Sequence, residues 1–189
     1  MPYVTPGTVA AGDVYTAAAH NIQVNNVIDL RSYLNRSAIY SYSSGDITLA
    51  VSANFANLPT IGTAGDLTIN ATTGDVIEAG IACLVGNANT TLIFDISTIV
   101  SSTANRSLLL NAASPVLNGS FEGNAYRKDG AIFTTFSGSV PYVTVSSDIV
   151  SGTVTVRVRY QNGTAADTLR CGASNRFVFF VKNLGPVTT

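Results

Sequence analysis

Charged side chains are scarce in this chain: Asp, Glu, Lys and Arg together make up 11% of its 189 residues, against about 25% in an average soluble domain. Tryptophan is absent, His20 is the single histidine, and the net charge at pH 7 is −1. Runs of Lys or Arg are also missing. Binding to nucleic acid requires several cations that neutralise phosphates together, so the sequence predicts no nucleic-acid partner.

Side chains suited to catalysis are also few. A Ser-His-Asp or Cys-His mechanism would have to use His20, which lies far in sequence from Cys83 and Cys171. Glycoside hydrolysis needs two poised carboxylates, and most of the 11 Asp and Glu residues stand where turns are predicted. Glu78 and Asp95 lie in strand patterns instead, and we expect each to be exposed or hydrogen-bonded at an interface. The sequence therefore predicts a protein that is not an enzyme and has no catalytic residues.

Sequence patterns that bind metals or cofactors are missing. Neither cysteine belongs to a CxxC pair, and no acidic calcium loop or glycine-rich phosphate loop occurs. We therefore predict no metal and no cofactor. The apolar runs are shorter than the ~18–20 residues of a membrane span, and the N-terminus lacks the basic and apolar regions of a signal peptide. Synthesis in a cytoplasm and no membrane partner are expected.

The two cysteines raise a separate question. Cys83 lies within the apolar run at 81–85, which favours a buried thiol that packs like a small hydrophobic side chain. A disulfide between Cys83 and Cys171 stays open, because such a pairing cannot be deduced from sequence. A chain of this length can bury a core without one.

The N-terminal segment, residues 1–35, differs from the rest of the chain. Residues 1–11 contain two prolines and no periodicity, which is typical of an extended arm. Asp13 is suited to cap a short helix that ends near residue 35. The apolar stripe of this helix is thin, so we expect it to pack on partner copies or on another protein, or equally on its own β-domain. The stripe contains Ala17, Val24, Val27 and Leu34.

Residues 36–189 show the alternation of apolar and polar side chains that is typical of strands. Gly, Asn, Ser and Pro separate about ten short segments at the spacing of an antiparallel sandwich. We predict a mainly β fold: an antiparallel jelly-roll-like β-sandwich preceded by an extended arm and a short helix. The predicted strands are 38–42, 47–53, 67–71, 76–85, 91–97, 108–111, 131–136, 142–146, 153–160 and 176–183.

Two of these strands differ in their faces. In residues 153–160, apolar side chains alternate with Thr and Arg, which predicts a sheet with one solvated side. Residues 177–181 are apolar on both faces, so a loop, the helix or a subunit interface must cover the outer one. The low charge favours an interface, because no charged group then has to be desolvated. The predicted oligomer interface contains Phe177, Phe179, Phe180, Val181, Val24 and Val27.

Residues 121–130 (FEGNAYRKDG) hold the densest mixture of charge and aromatic side chains. Tyr and Arg are favoured at binding hot spots, so Tyr126 and Arg127 are candidates for contact with a ligand. A solvated loop without a partner is the alternative interpretation.

Several segments of the chain carry a resemblance to a known family: residues 3–8, 12–13 and 20–29 at the N-terminus, and residues 74–78, 152–160 and 181–186 in the β-domain. Together they resemble small virion proteins of tailed bacteriophages, including those of cyanophages. The resemblance implies a homotrimeric component of the virion surface, made in the host cytoplasm. The implied roles are a capsid decoration (cement) protein that clamps the shell, or a subunit of a tail or head fibre.

These two roles imply different contacts. A decoration protein would bind the major capsid protein or another virion protein through its arm, with Tyr3, Val4 and Pro6 as the anchor. A fibre subunit would carry a receptor- or glycan-binding tip, with loop aromatics such as Tyr126 and Tyr142 against the ligand. Capsid or tail attachment, the number of subunits and any host receptor stay undecided by the sequence.

Overall fold

The computed structural model describes residues 21–24, 35–86, 88–100, 105–108, 127–172 and 174–187. Residues 21–24 form one helical turn, and short 3-10 helices span Gly62–Gly65 and Ser146–Asp148. The strands are β1 Ser37–Tyr42, β2 Ile47–Leu49, β3 Ser52–Asn57, β4 Leu67–Asn70, β5 Asp75–Val85, β6 Leu92–Ile99, β7 Asn105–Ser107, β8 Arg127–Lys128, β9 Thr134–Val143, β10 Ile149–Val150, β11 Thr153–Asn162, β12 Asp167–Arg170 and β13 Phe177–Pro186.

The described strands form two sheets. In the first, β5 pairs with β9 along one edge and with β13 and β12 along the other, while β1 lies outside β13 and β2 outside β12. In the second, β11 is flanked by β3 and β4 on one side and by β6 and β10 on the other, with β7 and β8 beyond β6. Every pairing among these strands is antiparallel. Consecutive strands repeatedly change sheet, as they do in a jelly roll, which confirms the predicted fold class.

The core lies between the two sheets and follows from the alternation within the strands. In β11 the even-numbered side chains at 154–160 are all buried, whereas most of the odd-numbered ones are only partly covered. Phe94 of β6 and Phe136 of β9 meet edge to face across the core, with ring centroids 5.4 Å apart. Burial of one such side chain contributes roughly 1.5–3 kcal/mol, so the period-two pattern also marks the residues that stabilise the sandwich.

The strand boundaries differ from the prediction in two instructive places. The predicted strand 47–53 is divided into β2 and β3, because the chain leaves one sheet and enters the other there. The predicted strands 131–136 and 142–146 are instead the single strand β9, which runs through Pro141. Proline lacks an N–H donor and is tolerated in edge strands, and β9 pairs with β5 alone among the described strands.

The predicted division of the chain at residues 35 and 36 stays a prediction. The β-sandwich begins with β1 at Ser37, close to the predicted start of the β-domain. Of the predicted arm and helix, only residues 21–24 and 35 belong to the described part of the chain.

Candidate functional site

A buried ion pair joins two neighbouring strands of the second sheet. Asp95 of β6 and Arg159 of β11 are cross-strand partners, with 2.6 Å between Oδ2 and Nη2, and Ser107 donates a hydrogen bond to the other carboxylate oxygen at 2.5 Å. Burial raises the pKa of Asp95, while Arg159 and Ser107 act in the opposite direction. The expectation that Asp95 is exposed or lies at an interface is wrong: it is 0% exposed, because its cationic partner lies beside it in the same sheet.

A second buried pair joins the two sheets. Lys128 of β8 places its Nζ atom 2.6 Å from Oδ2 of Asp167 in β12, and both side chains are almost fully enclosed. The same ammonium donates to the carbonyl oxygen of Ala88 at 2.8 Å. The backbone N–H of Thr168 donates to the remaining oxygen of Asp167 at 2.8 Å. The charge of each partner is therefore compensated inside the protein, as burial of ions requires.

Asp148 is the centre of the densest polar network in the described residues. Its Oδ1 accepts from Thr98 Oγ1 at 2.8 Å and Arg106 Nε at 3.1 Å. Its Oδ2 accepts from Tyr142 Oη at 2.7 Å and from the Val145 N–H at 2.9 Å. Burial and the bond to Asp148 raise the pKa of Tyr142. The network joins β6, β7 and β9, so it fastens an edge of one sheet to the other.

These carboxylates are engaged in holding strands rather than in an open catalytic arrangement. Tyr142, a candidate for ligand contact, is 3% exposed because its hydroxyl binds Asp148; that assignment is therefore wrong. Within the described ranges, no three His, Cys, Asp or Glu side chains are grouped to hold a metal ion. In the same ranges, no helix has the length and apolar character to cross a membrane.

Both cysteines are free thiols in the core. Cys83 and Cys171 are 4% and 0% exposed, which confirms the prediction of a buried Cys83. Burial raises the pKa of the Cys83 thiol well above its usual range and that of Cys171 to about 11. Thiols held in the neutral form react slowly as nucleophiles, so neither is an activated group.

A cleft of about 300 Å³ opens where the start of β1 meets the turns before β5 and β11. Oδ2 of Asp75 accepts hydrogen bonds there from the Thr72 N–H at 2.9 Å and from Asn183 Nδ2 at 2.8 Å. These polar groups bind one another and so fix the turn. The cleft is lined by Arg36, Asn70, Ala71, Thr72, Asp75 and Gly152.

The outer face of the first sheet has a different character, with few charges and several uncovered apolar side chains. Ile39 of β1 is 71% exposed and Leu184 of β13 is 52% exposed. Val178 and Phe180 of β13 are half-buried and lie opposite Ser41 and Ile39 in the register. An apolar surface of this kind is typical of a protein–protein contact. We call the outward side chains of β1, β13, β5 and β9 the outer face.

The β5 and β9 part of the outer face is built from small residues. Gly80 and Ala82 of β5 lie opposite Ser139 and Ser137 of β9. Glu78 is half-buried on the same side, and Ser139 Oγ donates to its Oε1 at 2.6 Å. The hydrogen bond of Glu78 thus lies within its own protomer, and the expected hydrogen bond at an interface stays a prediction.

The structure distributes the predicted interface residues between two environments. Phe177, Phe179 and Val181 are 1%, 0% and 1% exposed, because they point into the core of their own protomer. Side chains already enclosed there are not available to a neighbouring copy, so their assignment to an oligomer interface is corrected. Phe180 points to the outer face and stays a candidate. Val24, in the helical turn, is 40% exposed.

Other predicted site residues lie outside the described part of the chain. Arg127 belongs to the short strand β8, but its side chain is not among the described ones. The residues outside are Tyr3, Val4, Pro6, His20, Val27 and Tyr126.

Sequence reasoning missed Ile39 and the small residues of β5 and β9 on the same face of the sheet. In β1, Ser37 and Ser41 alternate with Ala38, Tyr40 and Tyr42, so Ile39 is the single apolar side chain on the serine side. This odd position in the alternation is the signal that could have identified it. Gly80 gave no such signal, since a glycine within a strand pattern does not show what packs against it.

The comparisons with known proteins add little. No family model matches the chain, and no curated protein matches it in sequence. It is similar in structure to the Eiger TNF from S. frugiperda, with 8% identity, a TM-score of 0.41 and coverage of 82% of this chain and 96% of that one. It is also similar to a chain in the structure of infectious bursal disease virus, Gx strain, with 9% identity, a TM-score of 0.35 and coverage of 78% of this chain and 40% of that one. Similarity at this level carries no argument about function.

Proposed function

We propose that this chain is a structural protein of a virion surface, a capsid decoration protein of a tailed bacteriophage that assembles as a homotrimer. The observation that carries the proposal is the outer face, where Ile39 is 71% exposed beside Phe180 and Val178. A large exposed apolar side chain in a charge-poor sheet favours association with another protein surface. The resemblance of the sequence to small virion proteins supports the same role.

In this proposal the two parts of the chain have separate tasks. The β-sandwich joins the copies, and residues 1–35 reach the major capsid protein or another virion protein through Tyr3, Val4 and Pro6. A protein that binds the assembled shell and not its dissociated subunits stabilises the shell by mass action. Linked arms in one oligomer add avidity, so each single contact can be weak.

A fibre subunit with a receptor-binding tip is the second candidate, and one observation favours it. Ile132 and Phe133, in the turn before β9, are 54% and 59% exposed. The guanidinium of Arg170 lies 6.0 Å from the centre of the Phe133 ring. An exposed aromatic ring beside an Arg side chain is suited to contact with a host molecule.

The experiment that separates the two candidates uses the full chain, undecorated phage shells and host cells. Light scattering gives the number of copies, and co-sedimentation measures binding to shells and to cells. A decoration protein sediments with shells and raises their melting temperature, and Phe133→Ser leaves this binding unchanged. Sedimentation with cells alone, lost in Phe133→Ser, would establish the fibre tip instead. A protein that sediments with neither contradicts both.

A further inference from the structure

The outer face is divided into halves of unequal height. β1 and β13 contribute the large side chains Ile39, Val178 and Phe180, which form the tall half. β5 and β9 contribute Gly80 and Ser139, with Ala82 and Ser137 in the next row, which form the low half. The strand register places Ile39, Phe180, Gly80 and Ser139 side by side in one row across the sheet.

The step between the halves lies at Gly80. A Cβ atom at this position would lie 2.8 Å from two ring carbons of Phe180 and would also meet the backbone oxygen of Gly138. The ring of Phe180 therefore leans over Gly80, and the sheet beyond it carries only Ser139 in that row. The tall half therefore forms a ridge of large side chains, and the low half beside it forms a shelf of small ones. We use ridge and shelf for these two halves from here on.

The charged side chains of the outer face are also divided between the two halves. Lys182 of β13 is exposed in the tall half, and Glu78 of β5 lies in the low half. The two residues are opposite one another in the register, in the row next to that of Phe180 and Gly80. The face thus has a cation on its ridge and an anion on its shelf.

We propose that the partner of the outer face is a second copy of this chain, which places its ridge on the shelf of the first. Ile39 and Phe180 of one copy then lie against Gly80 and Ser139 of the next, and Lys182 of one copy meets Glu78 of the next. This inference rests on the self-association in the proposed function and specifies its contact. The symmetry axis runs parallel to the strands.

The direction of the axis follows from shape and charge. Rotation about a three-fold axis parallel to the strands keeps the rows at the same height and turns the ridge of one copy toward the shelf of the next, so large side chains meet small ones. A two-fold axis in the plane of the face and perpendicular to the strands would put ridge against ridge. The shelves would then face each other across a gap, and interfaces as well packed as protein interiors do not leave such gaps.

Charge reversal tests the contact. Lys182→Glu and Glu78→Lys should each weaken self-association at least about tenfold, because like charges then meet between copies. An equimolar mixture of the two variants should recover assembly in part, because two of the three contacts in a mixed trimer then pair opposite charges and one still pairs like charges. Each variant still holds like charges next to one another in its own sheet, so recovery can arise only from a contact between copies. Light scattering and sedimentation equilibrium provide the readout.

A second pair of variants keeps the test decisive if the charge variants fold poorly. Ile39→Asp should abolish assembly, whereas Val150→Asp should not, since Val150 is 61% exposed on the other sheet. Loss of assembly in Ile39→Asp alone supports the proposed contact. Folded variants that all assemble like the wild type, or a mixture that assembles no better than either variant alone, would overturn it. A wild-type monomer that still sediments with shells would overturn this contact and leave the shell-binding part of the proposed function standing.

Discussion

The substitution Asp148→Asn tests whether the buried polar network stabilises the sandwich. The side chain is 0% exposed, and its two oxygens accept four hydrogen bonds, from Thr98, Arg106, Tyr142 and the Val145 N–H. Asparagine keeps the shape of aspartate but removes the negative charge and replaces one acceptor oxygen with a donor. The substitution therefore perturbs the network without creating a cavity.

The expected loss follows from the geometry. If the new amide NH2 group takes the place of Oδ2, it meets the fixed N–H of Val145. If it takes the place of Oδ1, it meets the fixed Nε–H of Arg106. Either orientation leaves two donors facing one another and the Arg106 guanidinium without its anion. Removal of one partner from a buried ion pair costs about 3–5 kcal/mol, a large part of the ~5–15 kcal/mol that stabilises a typical domain.

Guanidinium-chloride unfolding at pH 7, followed by circular dichroism, measures this loss. Asp46→Asn is the matched control, because Asp46 also binds an arginine, Arg170, at 2.7 Å, but its side chain is 41% exposed. The control should lose less than about 1 kcal/mol. Arg106→Met combined with Asp148→Asn should be less destabilised than the sum of the single variants. A loss in Asp148→Asn no larger than that of the control would refute the reasoning.

Three further predictions concern other parts of the structure. Cys83 and Cys171 should resist alkylation by iodoacetamide at pH 8 and react only in denaturant, because burial raises both pKa values; rapid labelling of the folded protein would contradict this. Gly80→Ala should destabilise the fold by about 1–3 kcal/mol in urea unfolding, because the new methyl group meets the backbone oxygen of Gly138 and the Phe180 ring; an unchanged or raised midpoint would disprove these close contacts. Hydrogen bonds from the Cys171 N–H and from Arg170 lower the pKa of Asp46, so the small contribution of Asp46 to the stability of the fold is present above about pH 4 and is lost as the pH falls further. The difference in melting temperature between wild type and Asp46→Asn should therefore shrink in acid. A difference that grows in acid would contradict this direction.

The fold class could be predicted because alternation is a local property of a strand. In residues 153–160, the side chains that share a face are set by the pleat of the chain, and an apolar face must be buried somewhere. The sequence therefore identified β11 and its buried side correctly. The same local rule does not show where a strand changes sheet, which is why the predicted strand 47–53 is two strands in the structure.

The candidate site depended on contacts between distant residues, and sequence reasoning recovered less of it. Asp95 was expected to be exposed or hydrogen-bonded at an interface because it alternates away from the apolar side chains next to it, yet Arg159, 64 residues further on, meets it in the sheet. Burial of a carboxylate becomes favourable only when such a partner is in place. Nothing within ten residues of Asp95 carries that information.

The sequence by itself determined that the chain is a mainly antiparallel β protein with little charge and with apolar residues on both faces of the strand at 177–181. These features can be read from the sequence because composition needs no structure and the pleat of a strand places alternate side chains on opposite faces whatever the rest of the chain does. Only the tertiary structure decided that Phe177, Phe179 and Val181 face the core while Phe180 faces outward beside Ile39. The reason is that alternation assigns side chains to two faces, and the neighbouring sheet decides which of the two it covers.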